Sequence, residues 1–118
     1  MSTERDDIQF LRTSAVAWDR PAVGVRRQVL AHGADLMLVR VDFDTGAIGA
    51  LHDHPHRQAT YVVAGRFTVT VGGMEQSLGA GDSFFAPGGV PHAVLAHEPG
   101  TLLDAFSPAR ADFLPTTA

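Results

Sequence analysis

The sequence contains no cysteine and no lysine, and no apolar stretch long enough to span a bilayer. Without cysteine, neither a disulfide framework nor a thiolate metal site is possible. All nine basic residues are arginines, which we read as genome composition and not as mechanism. Positive charge is not in excess either. The net charge is −4 and the pI about 5.8, so the chain lacks the basic footprint of a nucleic-acid or acidic-membrane partner. The first seven residues, Met1 to Asp7, are polar and hold no apolar signal core, so a soluble cytoplasmic protein is expected. What remains is a chain of 118 residues with 45% apolar and only 19% charged residues, which fits one globular domain with a single core.

Helix signals are scarce and turn signals dense. Short β-rich runs cover residues 36–43, 60–63, 67–71, 83–86, 93–96 and 102–106. Between them lie breaks such as Asp44-Thr45-Gly46, Gly72-Gly73, Pro87 to Pro91 and Glu98-Pro99-Gly100. Glycine and proline at these intervals favour hairpins. Many short strands at regular spacing predict an all-β sandwich or barrel, here a jelly-roll barrel over residues 21–118. Residues 1–20 read as an irregular polar lead-in that adds a strand to this or another subunit. With the high apolar content, that makes a homodimer the expected assembly.

The histidines cluster. On one continuous strand, residues two apart share a face, so His52, His54, His56 and Gln58 project together. Pro55 interrupts the run and suggests a sheet edge or bulge. Imidazoles on one buried face need polar partners, which a metal supplies and an apolar core does not. Without a metal, the same residues form a solvated rim. His92 follows the Pro87-Gly88-Gly89-Val90-Pro91 turn, whose stiff backbone fixes an imidazole's direction and favours the metal reading. His56 reads as a rim or supporting residue, and His32 and His97 as surface.

Two spaced motifs carry a family resemblance. Gly46-(five)-His52-x-His54-(three)-Gln58-(six)-Gly65 is similar to the first cupin motif, and Gly81-(five)-Pro87-x-Gly89-(two)-His92 to the second. The resemblance implies a single-domain cupin, a double-stranded β-helix of jelly-roll type. The chain departs from the pattern twice. Gln58 stands at the usual glutamate ligand, and Ala96 where an asparagine is common. A glutamine offers its amide oxygen but no charge, so three imidazoles and an amide leave a divalent ion's charge uncompensated. Such a centre attracts an anionic substrate and acts as a Lewis acid. It also lacks the two-histidine-one-carboxylate set of oxygen-activating iron.

The runs His52 to Val62 and Leu103 to Leu114 resemble the pectin-degradation cupins of the KdgF type, and the likeness extends from about Gly24 through Phe113. That resemblance implies opening of 4,5-unsaturated uronate rings, released from pectin or alginate, to the linear 4-deoxy-5-keto acid. It implies His52, His54, Gln58 and His92 as metal ligands, and Asp104, Phe106 and Arg110 as catalytic residues. The metal is one divalent transition ion (nickel, zinc, iron, manganese or cobalt), and the partner a small acidic sugar. Leu102, Asp104 and Phe106 share one strand face, so an inward Asp104 sits among apolar groups that raise its pKa and suit it to acid–base work. The plainer readings are an Asp104–Arg110 ion pair closing the barrel and Phe106 as core; Tyr61 and Arg26 could reach the pocket, with no sequence signal that places them there. A metal dioxygenase and a non-catalytic uronate-binding module are the alternative functions.

Overall fold

Alternation of apolar and polar residues, broken by glycine turns, lays down two antiparallel sheets. The computed structural model describes residues 8–115. The strands are β1 (Asp19–Ala22), β2 (Val25–His32), β3 (Met37–Phe43), β4 (Ile48–His52), β5 (Arg57–Ala64), β6 (Arg66–Val71), β7 (Met74–Gly79), β8 (Ser83–Ala86), β9 (His92–Ala96) and β10 (Gly100–Ser107). One sheet runs β1-β2-β3-β10-β5-β8 and the other β4-β9-β6-β7. This is the all-β jelly roll expected from the sequence. Among the described residues there is no α-helix, only single 3-10 turns at Thr13–Ala15 and Ala111–Phe113. No helix is long and apolar enough to cross a membrane.

The last strand organises the interior. β10 pairs with β3 on one side and β5 on the other, and its inward residues are Gly100, Leu102, Asp104 and Phe106. Toward its start the interior is apolar: Leu102 joins Val41, Phe43, Val62 and Phe67, and the Phe43 and Phe67 rings meet edge to face at 5.3 Å. Toward its end the interior turns polar, because register sets Asp104 opposite Thr60 and Phe106 opposite Gln58. Polar groups thus enter the interior toward the end of β10, beside the buried Met37, Val39 and Phe106.

β5 carries the matching alternation, with Gln58, Thr60 and Val62 buried and Ala59, Tyr61 and Val63 exposed. It hands over to β6 through Gly65, whose φ is +90°. A Cβ there would lie 2.6 Å from Gly100 Cα and 2.8 Å from Pro99 O, both backbone atoms with little room to give. Gly65→Ala should therefore cost about 2–3 kcal/mol of stability from positive-φ strain and overlap together. A denaturant midpoint within experimental error of the parent would contradict this.

The lead-in is tied down from inside. Gln28 is fully buried, and its amide nitrogen donates to the carbonyls of Thr13 (3.1 Å) and Val16 (3.0 Å). Residues 8–18 form no strand, and β1 begins at Asp19, two residues before the boundary expected at residue 21. Met1 to Asp7 lie outside the described residues.

Candidate metal centre and acid–base site

The expected single strand from His52 to Gln58 does not form. β4 ends at His52, residues 53–56 are a loop, and β5 begins at Arg57. Pro55 lies within that loop, where it sacrifices no ladder hydrogen bond. His56 is not part of the group of ligand nitrogens; its ring packs 5.5 Å from that of His54, and its backbone carbonyl meets Nδ1 of His54. His52 and His92 come together because β4 and β9 pair with these residues opposite each other. His54 reaches them from the loop.

His52, His54 and His92 offer ligand nitrogens that all lie within 4.8 Å of one another, a group able to hold a metal ion. Each ring is oriented the same way. Nδ1 of His52 meets the carbonyl of Ala50 (2.7 Å), that of His54 the carbonyl of His56 (2.9 Å), and that of His92 the carbonyl of Val90 (2.9 Å). A carbonyl only accepts, so each Nδ1 carries the proton and each neutral ring presents an Nε2 lone pair. Burial pushes His92 below the usual imidazole pKa. Burial, then the Arg110 charge, does the same to His54. The neutral, ligating form is the favoured one.

Two contacts test whether a cation suits these residues. Nε2 of His92 is buried with no hydrogen-bond partner among the described residues. Nε2 of His54 lies 3.1 Å from Oε1 of Gln58. With the His54 proton on Nδ1, that contact sets two acceptors against each other. Gln58 cannot relieve it by turning over, because its amide nitrogen donates to Thr60 Oγ1 (2.9 Å) and Asp104 Oδ1 (3.3 Å). An orphaned lone pair and two opposed acceptors are what a cation satisfies, so His52, His54, His92 and Gln58 fit a divalent metal.

Asp104 sits behind this group. Its carboxylate takes a 2.6 Å hydrogen bond from the Thr60 hydroxyl besides that from Gln58. Burial pushes its pKa up to about 6, while the Thr60 bond and the Arg110 charge hold it from rising further. The ion pair between Asp104 and Arg110 considered from the sequence does not form. Arg110 instead grips Asp112 through two bonds of 3.0 and 2.8 Å. Its guanidinium also stacks 5.1 Å from the Phe106 ring and 4.1 Å from Phe113. Phe106 is both core and cavity wall: it is 3% exposed and meets His54 edge-on at 5.7 Å.

His52, Gln58, His92, Asp104, Phe106 and Arg110 line one cavity, while His54 and Thr60 lie behind its wall. Thr60 was not singled out in the sequence, although it lies two residues from Gln58 on the same strand face. Tyr61 points outward, and Arg26 pairs with Asp42 on the outer face at 3.2 Å. Neither lines the cavity, whereas Arg27 does, together with Arg110.

The two motifs also brace each other. Gly89 donates its N–H to the carbonyl of His54 at 2.7 Å, and a Cβ on Gly88 would collide with the Pro55 carbonyl. The loop before His92 thereby holds the loop carrying His54. Gly88→Ala should displace His54 and weaken metal binding about tenfold, as loss of an orienting partner does elsewhere. Competition with a chromophoric chelator measures this, and parental affinity would refute the bracing role.

Comparisons with known proteins agree with this geometry. The cupin domain family model matches residues 39–106, which hold all four candidate ligands and Asp104. The pectin degradation protein KdgF of Dickeya dadantii is 42% identical over 99 residues, 82% of this chain and 90% of that protein. The structure of KdgF from Halomonas sp. superposes with a TM-score of 0.86 at 41% identity, covering 90% of this chain and 98% of the other. An RmlC-like cupin from Shewanella frigidimarina gives a TM-score of 0.87 at 42% identity, over 91% and 96% of the two chains. With a histidine triad seated at the open end of a jelly roll, the chain is a cupin and belongs with the pectin degradation protein KdgF.

Proposed function

We propose that this protein acts in pectin or alginate breakdown by opening the ring of 4,5-unsaturated uronate monosaccharides to the linear 4-deoxy-5-keto acid. The observation that carries the reading is the placement of Asp104. A buried carboxylate shares the amide of Gln58 with His54, so a proton-handling group and a metal-ligand set meet in one cavity. The Dickeya dadantii relative named for pectin degradation supports the substrate class.

The reaction is a net isomerisation. Asp104 takes the proton of the C1 hydroxyl, and the bond from C1 to the ring oxygen breaks with its electron pair going to that oxygen, leaving an aldehyde at C1 and an enolate oxygen at C5. Asp104 then returns the proton to C4, and C5 becomes the ketone. No atom is gained or lost. Thr60 and Gln58 hold the carboxylate so that one oxygen keeps its direction throughout. Arg110 faces the substrate carboxylate, and Phe106 packs against the sugar ring. A metal bound by His52, His54, His92 and Gln58 supplies Lewis-acid stabilisation to the oxygen that gains charge.

Purified, metal-loaded protein added to an unsaturated monouronate should speed the loss of the conjugated enol acid's ultraviolet absorbance above the spontaneous rate. A rate equal to the spontaneous one sinks the proposal.

A further inference from the structure

A second arginine lines the cavity. Arg27 lies on β2, outside the ligand set and apart from Asp104, Phe106 and Arg110, yet it lines the same cavity. Its guanidinium carbon sits 3.8 Å from the centre of the Phe113 ring, and that of Arg110 sits 4.1 Å from the same ring. One phenyl group therefore carries both cations at fixed positions.

The two arginines are anchored alike. Arg27 binds Asp19 through Nε (3.1 Å) and Nη2 (3.0 Å), as Arg110 binds Asp112 through Nε and Nη2. Among the described residues, neither Nη1 has a hydrogen-bond partner. The anchoring carboxylates do not cancel the charge equally at both ends. Asp19 and Asp112 are 51% and 57% exposed, whereas Arg27 and Arg110 are 19% and 11% exposed. Water screens the carboxylate ends, and the less exposed arginines line a cavity with largely apolar walls, where their field persists.

We propose that Arg27 is a substrate-binding residue: with Arg110 it forms a two-guanidinium receptor for the carboxylate of an acidic sugar, built on Phe113 and set by Asp19 of β1. The inference rests on the uronate reading of this site and adds to it the residue that discriminates acidic from neutral sugars. It also gives β1 a role, since the strand supplies the carboxylate that fixes Arg27. A guanidinium spreads its donors in a plane that matches a carboxylate, which an ammonium does not.

The test combines kinetics with binding of unreactive sugars. In the metal-loaded protein, Arg27→Gln should raise KM for the unsaturated monouronate about tenfold or more, with kcat changed by no more than about threefold. Arg27→Lys, which keeps charge but not the fork, should give a smaller rise in KM. Calorimetric titration with galacturonate and galactose should show the parent preferring the acid, and Arg27→Gln losing most of that preference. An unchanged KM and preference in a folded, metal-loaded Gln or Lys variant overturns the inference while leaving the ring-opening reading intact. A parent that does not prefer galacturonate overturns it as well, with no need of any variant. Conversely, a parent that prefers the acid through Arg27 but turns over no unsaturated uronate refutes the reaction and leaves the receptor standing.

Discussion

Asp104→Asn should lower turnover by about 10²–10⁴-fold while leaving metal content and substrate KM close to those of the parent. Asparagine keeps the volume and one oxygen, so Thr60 still has an acceptor and no cavity opens beside Phe106. What disappears is the ability to accept a proton from the C1 hydroxyl and return it to C4. The metal should stay, because Asp104 touches the ligand group only through the amide nitrogen of Gln58. Three measurements on one preparation separate chemistry from structure: turnover by loss of the enol acid's absorbance, metal by elemental analysis, and folding by thermal midpoint. An Asn variant that turns over like the parent would remove Asp104 from the proton path.

The strands that could be read from the sequence are those whose period-2 pattern reaches the core. β3, with Met37, Val39, Val41 and Phe43 buried, falls within one residue of its expected bounds, and β8 matches at both ends. β4 and β7 were not expected because they show no buried apolar alternation. Four of the six residues of Met74–Gly79 are exposed, and none of Ile48–His52 is buried. These are edge strands, held by backbone pairing to β9 and β6, and pairing leaves little mark on side-chain choice. Their existence follows from the neighbours they pair with, which local pattern does not encode.

The site was legible where ligand spacing recorded it and obscure where tertiary register decided. His52, His54, Gln58 and His92 stand at fixed separations from glycines that make the turns, so spacing alone groups them. The path between them is expected as a strand with an edge or bulge at Pro55, and it is instead a loop between two strands. Thr60 follows from the strand parity that buries Gln58, and that signal was available. Arg27 was not available, because β2 has two half-buried arginines in succession. Arg26 turns outward to Asp42 and stacks on Trp18, and Arg27 turns toward Phe113. Only the pairing of β2 with β3 and the return of residues 111–113 over the barrel mouth decide between them.

Gln58→Glu should separate metal affinity from activity, raising the first and lowering the second. A glutamate oxygen adds negative charge opposite the Nε2 of His54, which favours any divalent ion held by the triad. The same change deletes the amide nitrogen that donates to Thr60 and to Asp104 Oδ1 at 3.3 Å, and puts a second carboxylate in its place. Two carboxyl groups that close do not both ionise easily, so the pair retains a proton that Asp104 needs to lose before it can act. The extra charge also offsets the ion's attraction for an acidic sugar. We expect turnover to fall by about 10²-fold or more, with tighter metal binding in chelator competition. Thr60 gives an internal control. If disrupting the hydrogen bonds to Asp104 were the whole cause, Thr60→Val would reproduce the loss of turnover without any gain in metal affinity, since Thr60 contributes no ligand. A glutamate variant that binds metal more tightly and keeps full turnover would show that the neutral amide at position 58 is not needed for the reaction, and that the charge of the centre does not control it.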